Sequence, residues 1–251
     1  MTDATQLVRY TLRHADDCLV LSHRLAEWSS RAPDLEEDIA LTNIGLDLLG
    51  QARMLYSYAG DIDGAKTEDN YAFFRNERQF SNLLLVEQPI GDFASTIARQ
   101  VLFSTYQQLL WDHMGTSTDA TLAAIAAKAR KETAYHLRHG RTWLHRLGDG
   151  TDESHTRMQS AVDALWRFTA ELFAVDDLDL SMVAAGIGVD VRDLVEPWRA
   201  NIANDLQEAT LSMPDDPHQT SGGRDGRHTN HLGLMLAEMQ VLQRTYPGAS
   251  W

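Results

Sequence analysis

The chain has 251 residues, with 22 lysines and arginines against 36 aspartates and glutamates, which gives a formal net charge of −14. A surface this acidic repels phosphate backbones, so we expect no nucleic-acid partner and no anionic membrane surface as a partner. No apolar run approaches the roughly 18 residues of a membrane-spanning helix, and the first ten residues lack a secretory signal core. Cys18 is the only cysteine, which favours the reducing cytoplasm and excludes a disulfide framework.

Apolar residues recur at helical intervals along nearly the whole chain, which predicts an all-α fold in one domain, residues 1–251. The pattern predicts four core helices with further helices packed on them. We also expect a shorter helical connecting segment over 68–86, a short extended piece at "IGVDV" and one long loop, "SMPDDPHQTSGGRDGRH". The core helices are predicted over residues 5–29, 34–60, 92–115 and 119–147, and the C-terminal helices, between 152 and 245, over 153–175, 191–211 and 230–245.

Loop positions predict which residues of antiparallel helices lie at the same level. Asp17 and Asp47 are each 15 residues from the centre of the first loop. Phe103 and Glu132 are placed in the same way about the centre of the loop that follows the third core helix. We therefore expect these four residues to share one layer of the bundle.

This predicted layer has only part of the ligand set of a di-iron bundle. Such a bundle takes one carboxylate from each of two helices and a Glu-x-x-His motif from each of the other two. Asp47 is followed three residues later by Gly50, and Glu132 by Tyr135, so both imidazoles are missing. Phe103 stands where the third helix would supply a carboxylate. The sequence therefore predicts a metal-free polar layer without catalytic residues.

His136 leaves one alternative open. It lies one helical turn after Glu132 and about 100° round the helix from Tyr135. It could act as an irregular metal ligand only if the register of this helix were shifted by one residue. A buried Glu132–His136 pair is the simpler interpretation.

Several segments resemble the C subunits of bacterial phenylacetyl-CoA epoxidase, the ring-1,2-monooxygenase of phenylacetate breakdown. The resemblance extends in order over almost the whole chain, so it is far more specific than any single motif. It is carried by "CLVLSHRLAEW", "NIGLDLLGQAR", "ERQFSNLLLVEQP", "MQSAVDALWRFTAELF" and "GRHTNHLGLMLAEMQ".

The resemblance implies a ferritin-like fold and a non-catalytic role for this chain. In that family the catalytic subunit holds the di-iron centre, and its non-catalytic counterpart binds it in a heterodimer that pairs further. A small bridging subunit and a reductase complete the system. The resemblance thus implies no cofactor in this chain and a di-iron centre in its partner.

The glycine-rich segment "SGGRDGRHTNHLG" places Arg224, Arg227 and His228 just before a predicted helix start. Glycines, arginines and a helix N-terminus suit an anion such as a CoA phosphate. A partner-docking loop or a plain surface loop explains the same residues.

Three functions remain open at this point. The first is a structural subunit of an oxygenase complex. The second is an independent di-iron oxidase or hydroxylase that uses His136 as a ligand. The third is an all-α binding module. The missing Glu-x-x-His motifs argue against the second.

Overall fold

The structure is a computed structural model that describes residues 3–215 and 218–249. These residues form ten α-helices and several single 3₁₀ turns, with no strand among them, so the all-α prediction is confirmed. The helices are α1 Ala4–Ala26, α2 Leu35–Asp63, α3 Glu68–Phe73, α4 Leu84–Glu87, α5 Phe93–Met114, α6 Ala120–Gly148, α7 Asp152–Trp166, α8 Asp177–Ala184, α9 Val195–Glu208 and α10 Asn230–Thr245.

Local side-chain caps fix where the long helices begin. Asp34 accepts a hydrogen bond from Glu37 N at 2.9 Å at the start of α2. Asp92 and Asp119 cap α5 and α6 in the same way. An aspartate at this position satisfies amides that the first helical turn leaves unpaired. These caps explain why α2, α5 and α6 begin one residue from their predicted starts, and all four core helices end within three residues of their predicted ends.

The bundle consists of two antiparallel pairs, α1 with α2 and α5 with α6, joined mainly through α2 and α6. Its core contains fully buried side chains such as Leu48, Leu55, Phe103 and Trp111. Helices α7 and α9 pack on α5 and α6, and the Trp198 indole donates to the Leu102 carbonyl at 3.0 Å. No helix within residues 3–215 and 218–249 is long and apolar enough to cross a bilayer.

The region between α7 and α9 differs from the prediction. The helix expected over 153–175 ends at Trp166 and is followed by a 3₁₀ turn, Ala170–Phe173. Helix α8, which was not predicted, begins there because Asp176 caps it and forms a capping box with Asp179. The extended piece expected at "IGVDV" is an irregular segment that leads into a 3₁₀ turn, and none of the described residues pairs with it as a strand.

Candidate functional site

Four side chains, one from each core helix, form a hydrogen-bonded polar layer inside the bundle. The Cys18 thiol of α1 donates to Gln51 Oε1 at 3.5 Å and accepts from Gln107 Nε2 at 3.5 Å. Gln51 Nε2 in turn donates to Glu132 Oε2 at 3.0 Å. Lys128 lies 3.5 Å from the other oxygen of Glu132, at the edge of the layer. The layer therefore contains one carboxylate, two amides and a thiol.

The thiol of Cys18 is chemically quiet in this layer. The side chain is fully buried, and burial, together with the negative charge of Asp17, raises its pKa well above the usual range. A thiol becomes a metal ligand or a nucleophile only when it loses its proton. Cys18 therefore acts here as a small hydrogen-bonding core residue.

The buried i, i+3 pairs of α2 and α6 lie one residue later than predicted. The pair on α2 is Leu48 and Gln51, and the pair on α6 is Thr133 and His136; all four are fully buried. Compared with a Glu-x-x-His motif, α6 has His136 at the imidazole position and the hydroxyl of Thr133 in place of the carboxylate. On α2, an apolar side chain and an amide occupy the two positions.

The predicted residues on these two helices are only partly enclosed. The Asp47 side chain is 38% exposed and accepts from His136 Nε2 at 3.0 Å. Tyr135 is 39% exposed, while Gly50 is half-buried. The expected Glu132–His136 pair is not formed: His136 bonds to Asp47, and Glu132 accepts from Gln51.

The other two predicted positions also differ from the polar layer. Phe103 is buried in the core, but the α5 residue that enters the layer is Gln107, one turn later. Asp17 is buried and accepts hydrogen bonds from Leu83 N and Arg224. No hydrogen bond between described residues connects Asp17 with Asp47 or Glu132, so the predicted layer is divided.

The prediction of a single layer was wrong because it used only the distance of each residue from a loop. Loop symmetry gives the approximate level of a residue along the bundle, but not its direction round the helix axis. Neighbouring residues such as Asp17 and Cys18 differ in direction by about 100°. A signal was present, since Cys18 and Gln51 both lie within apolar stretches where a polar residue must find a buried partner.

The polar layer does not fit a di-iron centre. Such a centre requires four carboxylates and two imidazoles, and the layer offers the carboxylate of Glu132 with the imidazole of His136 nearby. The described residues contain no group of three or more His, Cys, Asp or Glu side chains arranged for a metal ion. The amide side chains of Gln51 and Gln107 both hydrogen bond to Cys18, and as neutral groups they supply no anionic donor for iron.

A second polar region fastens two loops to the bundle. The connector, defined as residues 74–92 between α3 and α5, and the glycine loop, residues 218–229 before α10, contact four carboxylates that are almost completely buried. The four are Asp16, Asp17, Glu87 and Glu171.

Each of these carboxylates has a full set of donors. Asp16 binds Arg75, Tyr56 and Ser81, with the tyrosine oxygen at 2.6 Å. Glu171 accepts from three backbone amides, those of Leu84, Gly222 and Gly223, at 2.7 to 2.8 Å. Buried carboxylates are tolerated because cations and N–H donors replace the lost water.

The three residues predicted to bind an anion play different parts in the structure. Arg224 is mostly buried and holds Asp17 at 2.8 Å, while it also donates to the Ser81 carbonyl at 2.7 Å. Burial raises the pKa of Asp17 to about 6, although Arg224 opposes that rise. Arg227 is exposed and paired with Asp225.

His228 bridges the connector and the start of α10. Its Nδ1 lies 2.8 Å from Glu87 Oε2, and its Nε2 lies 3.0 Å from the Phe80 carbonyl. Both partners accept hydrogen bonds, so both ring nitrogens donate and the imidazole is charged. Burial opposes this charge, but Glu87 and the Phe80 carbonyl raise the pKa of His228 overall. Of the three residues, only Arg227 has its side chain mainly in solvent.

The glycines let the loop backbone approach the connector closely. A Cβ on Gly223 would lie 2.1 Å from the Asn82 carbonyl oxygen, and one on Gly226 would lie 2.4 Å from that of Arg78. Gly226 also has a positive φ of 72°, which favours glycine. The segments "ERQFSNLLLVEQP" and "GRHTNHLGLMLAEMQ" thus contact each other in the folded chain.

The sequence was compared with known proteins. A family model described as phenylacetic acid catabolic protein matches residues 1–251. The chain belongs to this family. Within it, the chain is 56% identical over 246 residues to the C subunit of the 1,2-phenylacetyl-CoA epoxidase of Escherichia coli strain K12. The match covers 98% of this chain and 99% of that protein. The expected resemblance is confirmed, and the all-helical bundle is the ferritin-like fold of the phenylacetic acid catabolic proteins.

Proposed function

We propose that this chain is a non-catalytic structural subunit of a phenylacetyl-CoA 1,2-epoxidase complex that acts in aerobic phenylacetate degradation. Similarity to an epoxidase subunit over nearly the full length supports membership of such a complex. The observation that carries the non-catalytic role is the polar layer. Cys18 and Gln107 stand where a di-iron bundle needs carboxylates, and Gln51 stands where it needs an imidazole.

The proposed partners are a ferritin-like catalytic subunit that holds the di-iron centre, a small bridging subunit and a reductase. In this arrangement the chain forms a heterodimer with the catalytic subunit, and heterodimers pair further. A subunit that binds only the folded form of its partner stabilises that form by mass action. Permanent interfaces of this kind commonly bury roughly 2,000 Å² or more. A cytoplasmic location stays a prediction.

The test is turnover per assembled complex. Glu132→Gln in this chain, co-expressed with the catalytic subunit, should leave assembly, iron content and turnover unchanged. Glu153→Gln, an exposed substitution on α7, is the matched control. If turnover collapses in a Glu132→Gln complex that still assembles and retains its iron, Glu132 takes part in the chemistry and the proposal is wrong.

Iron analysis separates this proposal from an independent di-iron oxidase. The chain expressed alone with ample iron should contain far less than one iron atom per molecule. Iron close to stoichiometric, lost on His136→Ala, would support the oxidase instead. Failure to co-purify with any ferritin-like subunit that keeps both Glu-x-x-His motifs would favour an all-α binding module.

A further inference from the structure

We propose that the chain has a binding site for the phosphate monoester group of a small molecule, in a cleft between α1, the connector and the glycine loop. We call it the arginine cleft because five arginines line its volume of about 390 Å³: Arg9, Arg13, Arg75, Arg78 and Arg224. This concentration of guanidinium groups is unusual in a chain whose net charge is −14. The inference does not depend on the proposed structural role.

The deep arginines of the cleft are fixed in place before any ligand arrives. Arg75 is held by Asp16 and stacks over the Phe80 ring, with its guanidinium carbon 4.1 Å from the ring centroid. Arg224 is held by Asp17. Because these side chains are already ordered, a ligand loses little free energy in organising the site.

Two arginines at the rim provide the surplus positive charge. Arg9 and Arg78 are exposed, and neither forms an ion pair or a side-chain hydrogen bond with any residue in 3–215 or 218–249. Arg13 lies between Asp176 and Asp179, so these three side chains together have one negative charge in excess. Asp225, also in the lining, is paired with Arg227. Arg75 and Arg224 are each balanced by one carboxylate, so the net charge of the cleft is +1 (+2 − 1), and Arg9 and Arg78 are its unpaired guanidinium groups.

The two unpaired guanidinium groups favour a phosphate monoester over a carboxylate. Guanidinium forks bind either group with paired hydrogen bonds. A phosphate monoester has three terminal acceptor oxygens and can bond to both unpaired guanidinium groups at once, whereas one guanidinium fork already occupies both oxygens of a carboxylate. Both Nη atoms of Arg224, a deep arginine, already donate to protein groups. Its Nε–H has no bond to a described residue and is the donor that remains for a ligand.

The experiment is calorimetric titration of the full chain at low salt with CoA, dephospho-CoA and inorganic phosphate. CoA has one phosphate monoester, on its ribose, and dephospho-CoA lacks only that group. We expect saturable CoA binding that inorganic phosphate displaces, and much weaker binding of dephospho-CoA. Phosphate that binds as tightly as CoA would identify a free phosphate site, which also supports the proposal.

Substitutions locate the binding. Arg9→Gln with Arg78→Gln should weaken CoA binding at least about tenfold, since charge-assisted contacts are lost. These side chains make no folded-state bonds to described residues, so the variant should stay folded at the titration temperature even though its net charge becomes −16 (−14 − 2). Arg31→Gln is the matched control: an exposed arginine beyond the other end of α1, about 25 Å or more away along the axis. Equal binding of CoA and dephospho-CoA, no binding of CoA, or equal weakening by Arg31→Gln would overturn the proposal.

Discussion

A carboxylate removed from water depends on its hydrogen-bond donors, and Asp17 depends on Arg224 and the Leu83 amide. Loss of one partner leaves the other charge buried without compensation, which typically costs about 3–5 kcal/mol. Arg224→Met should therefore lower the free energy of unfolding by roughly that amount in urea titrations. Asp17→Asn combined with Arg224→Met should restore part of the loss.

Arg227→Met is the matched control for this prediction. Arg227 stands three residues from Arg224, but its side chain is 72% exposed and its ion pair with Asp225 lies in solvent. Exposed pairs contribute little to stability, so no measurable change is expected. If both arginine substitutions destabilise the chain equally, the buried ion pair is not the cause.

His228 should make stability depend on pH on the alkaline side. The folded-state pKa of His228 is raised above the ordinary value of 6.5, through Glu87 and the Phe80 carbonyl against the opposing effect of burial. Its contribution is therefore complete below about pH 6.5 and is lost as pH rises through the folded-state pKa. Unfolding free energies of the wild type and His228→Gln should thus differ most below pH 6.5 and converge above the folded-state pKa. His113→Gln, on an exposed histidine, should show no such convergence.

At the scale of the loops and helices, a substitution that blocks a close backbone approach should destabilise the fold more than one that only strains the backbone. Gly226→Ala places a methyl group 2.4 Å from the Arg78 carbonyl oxygen and also strains a positive φ. Gly64→Ala strains a similar φ of 71° with nothing within 4 Å of the new methyl. Gly64→Ala, the control, should lower the free energy of unfolding in urea by about 1 kcal/mol. Gly226→Ala should lower it by about 1–3 kcal/mol more. Equal costs would mean that the glycine loop moves aside freely.

The elements that the sequence predicted well are those that local interactions determine. Helices α2, α5 and α6 begin at aspartate caps, and each cap needs only the next three residues. Helix α8 was missed because its capping box lies within a stretch that has helical spacing on both sides. The interruption between α7 and α8 depends on how the flanking residues pack on the core, and Trp166 at the end of α7 is almost fully buried.

Predictions about the candidate site failed where they needed contacts between distant residues. Asp17 and Arg224 are 207 positions apart, so no local pattern relates them. The polar layer was displaced because the direction of Cys18 and Gln51 depends on how four helices pack together. The one-residue shift that would turn His136 inward is the arrangement observed, but His136 pairs with Asp47.

For the molecule as a whole, the charge of −14 should make stability sensitive to salt. Like charges on the surface repel one another, and this repulsion favours unfolding. Raising NaCl from about 0.01 to 0.1 M shortens the Debye length from about 30 to 10 Å. The melting temperature should therefore rise. Asp61→Asn with Glu238→Gln lowers the charge to −12 (−14 + 2) and should make the rise smaller. A melting temperature that falls with salt would show that attractive surface pairs dominate.

The fastening of the glycine loop to α1 has a consequence for biosynthesis. Asp17 emerges from the ribosome early, whereas its counter-ion Arg224 is made 207 residues later. At about 5–20 residues per second, translation separates the two by roughly 10 to 40 s. Throughout that interval Asp17 lacks Arg224 as its cation, so the packing of α1 against the connector is less stable than in the finished chain. The attachment of α1 to the glycine loop is therefore one of the last contacts that the chain can form.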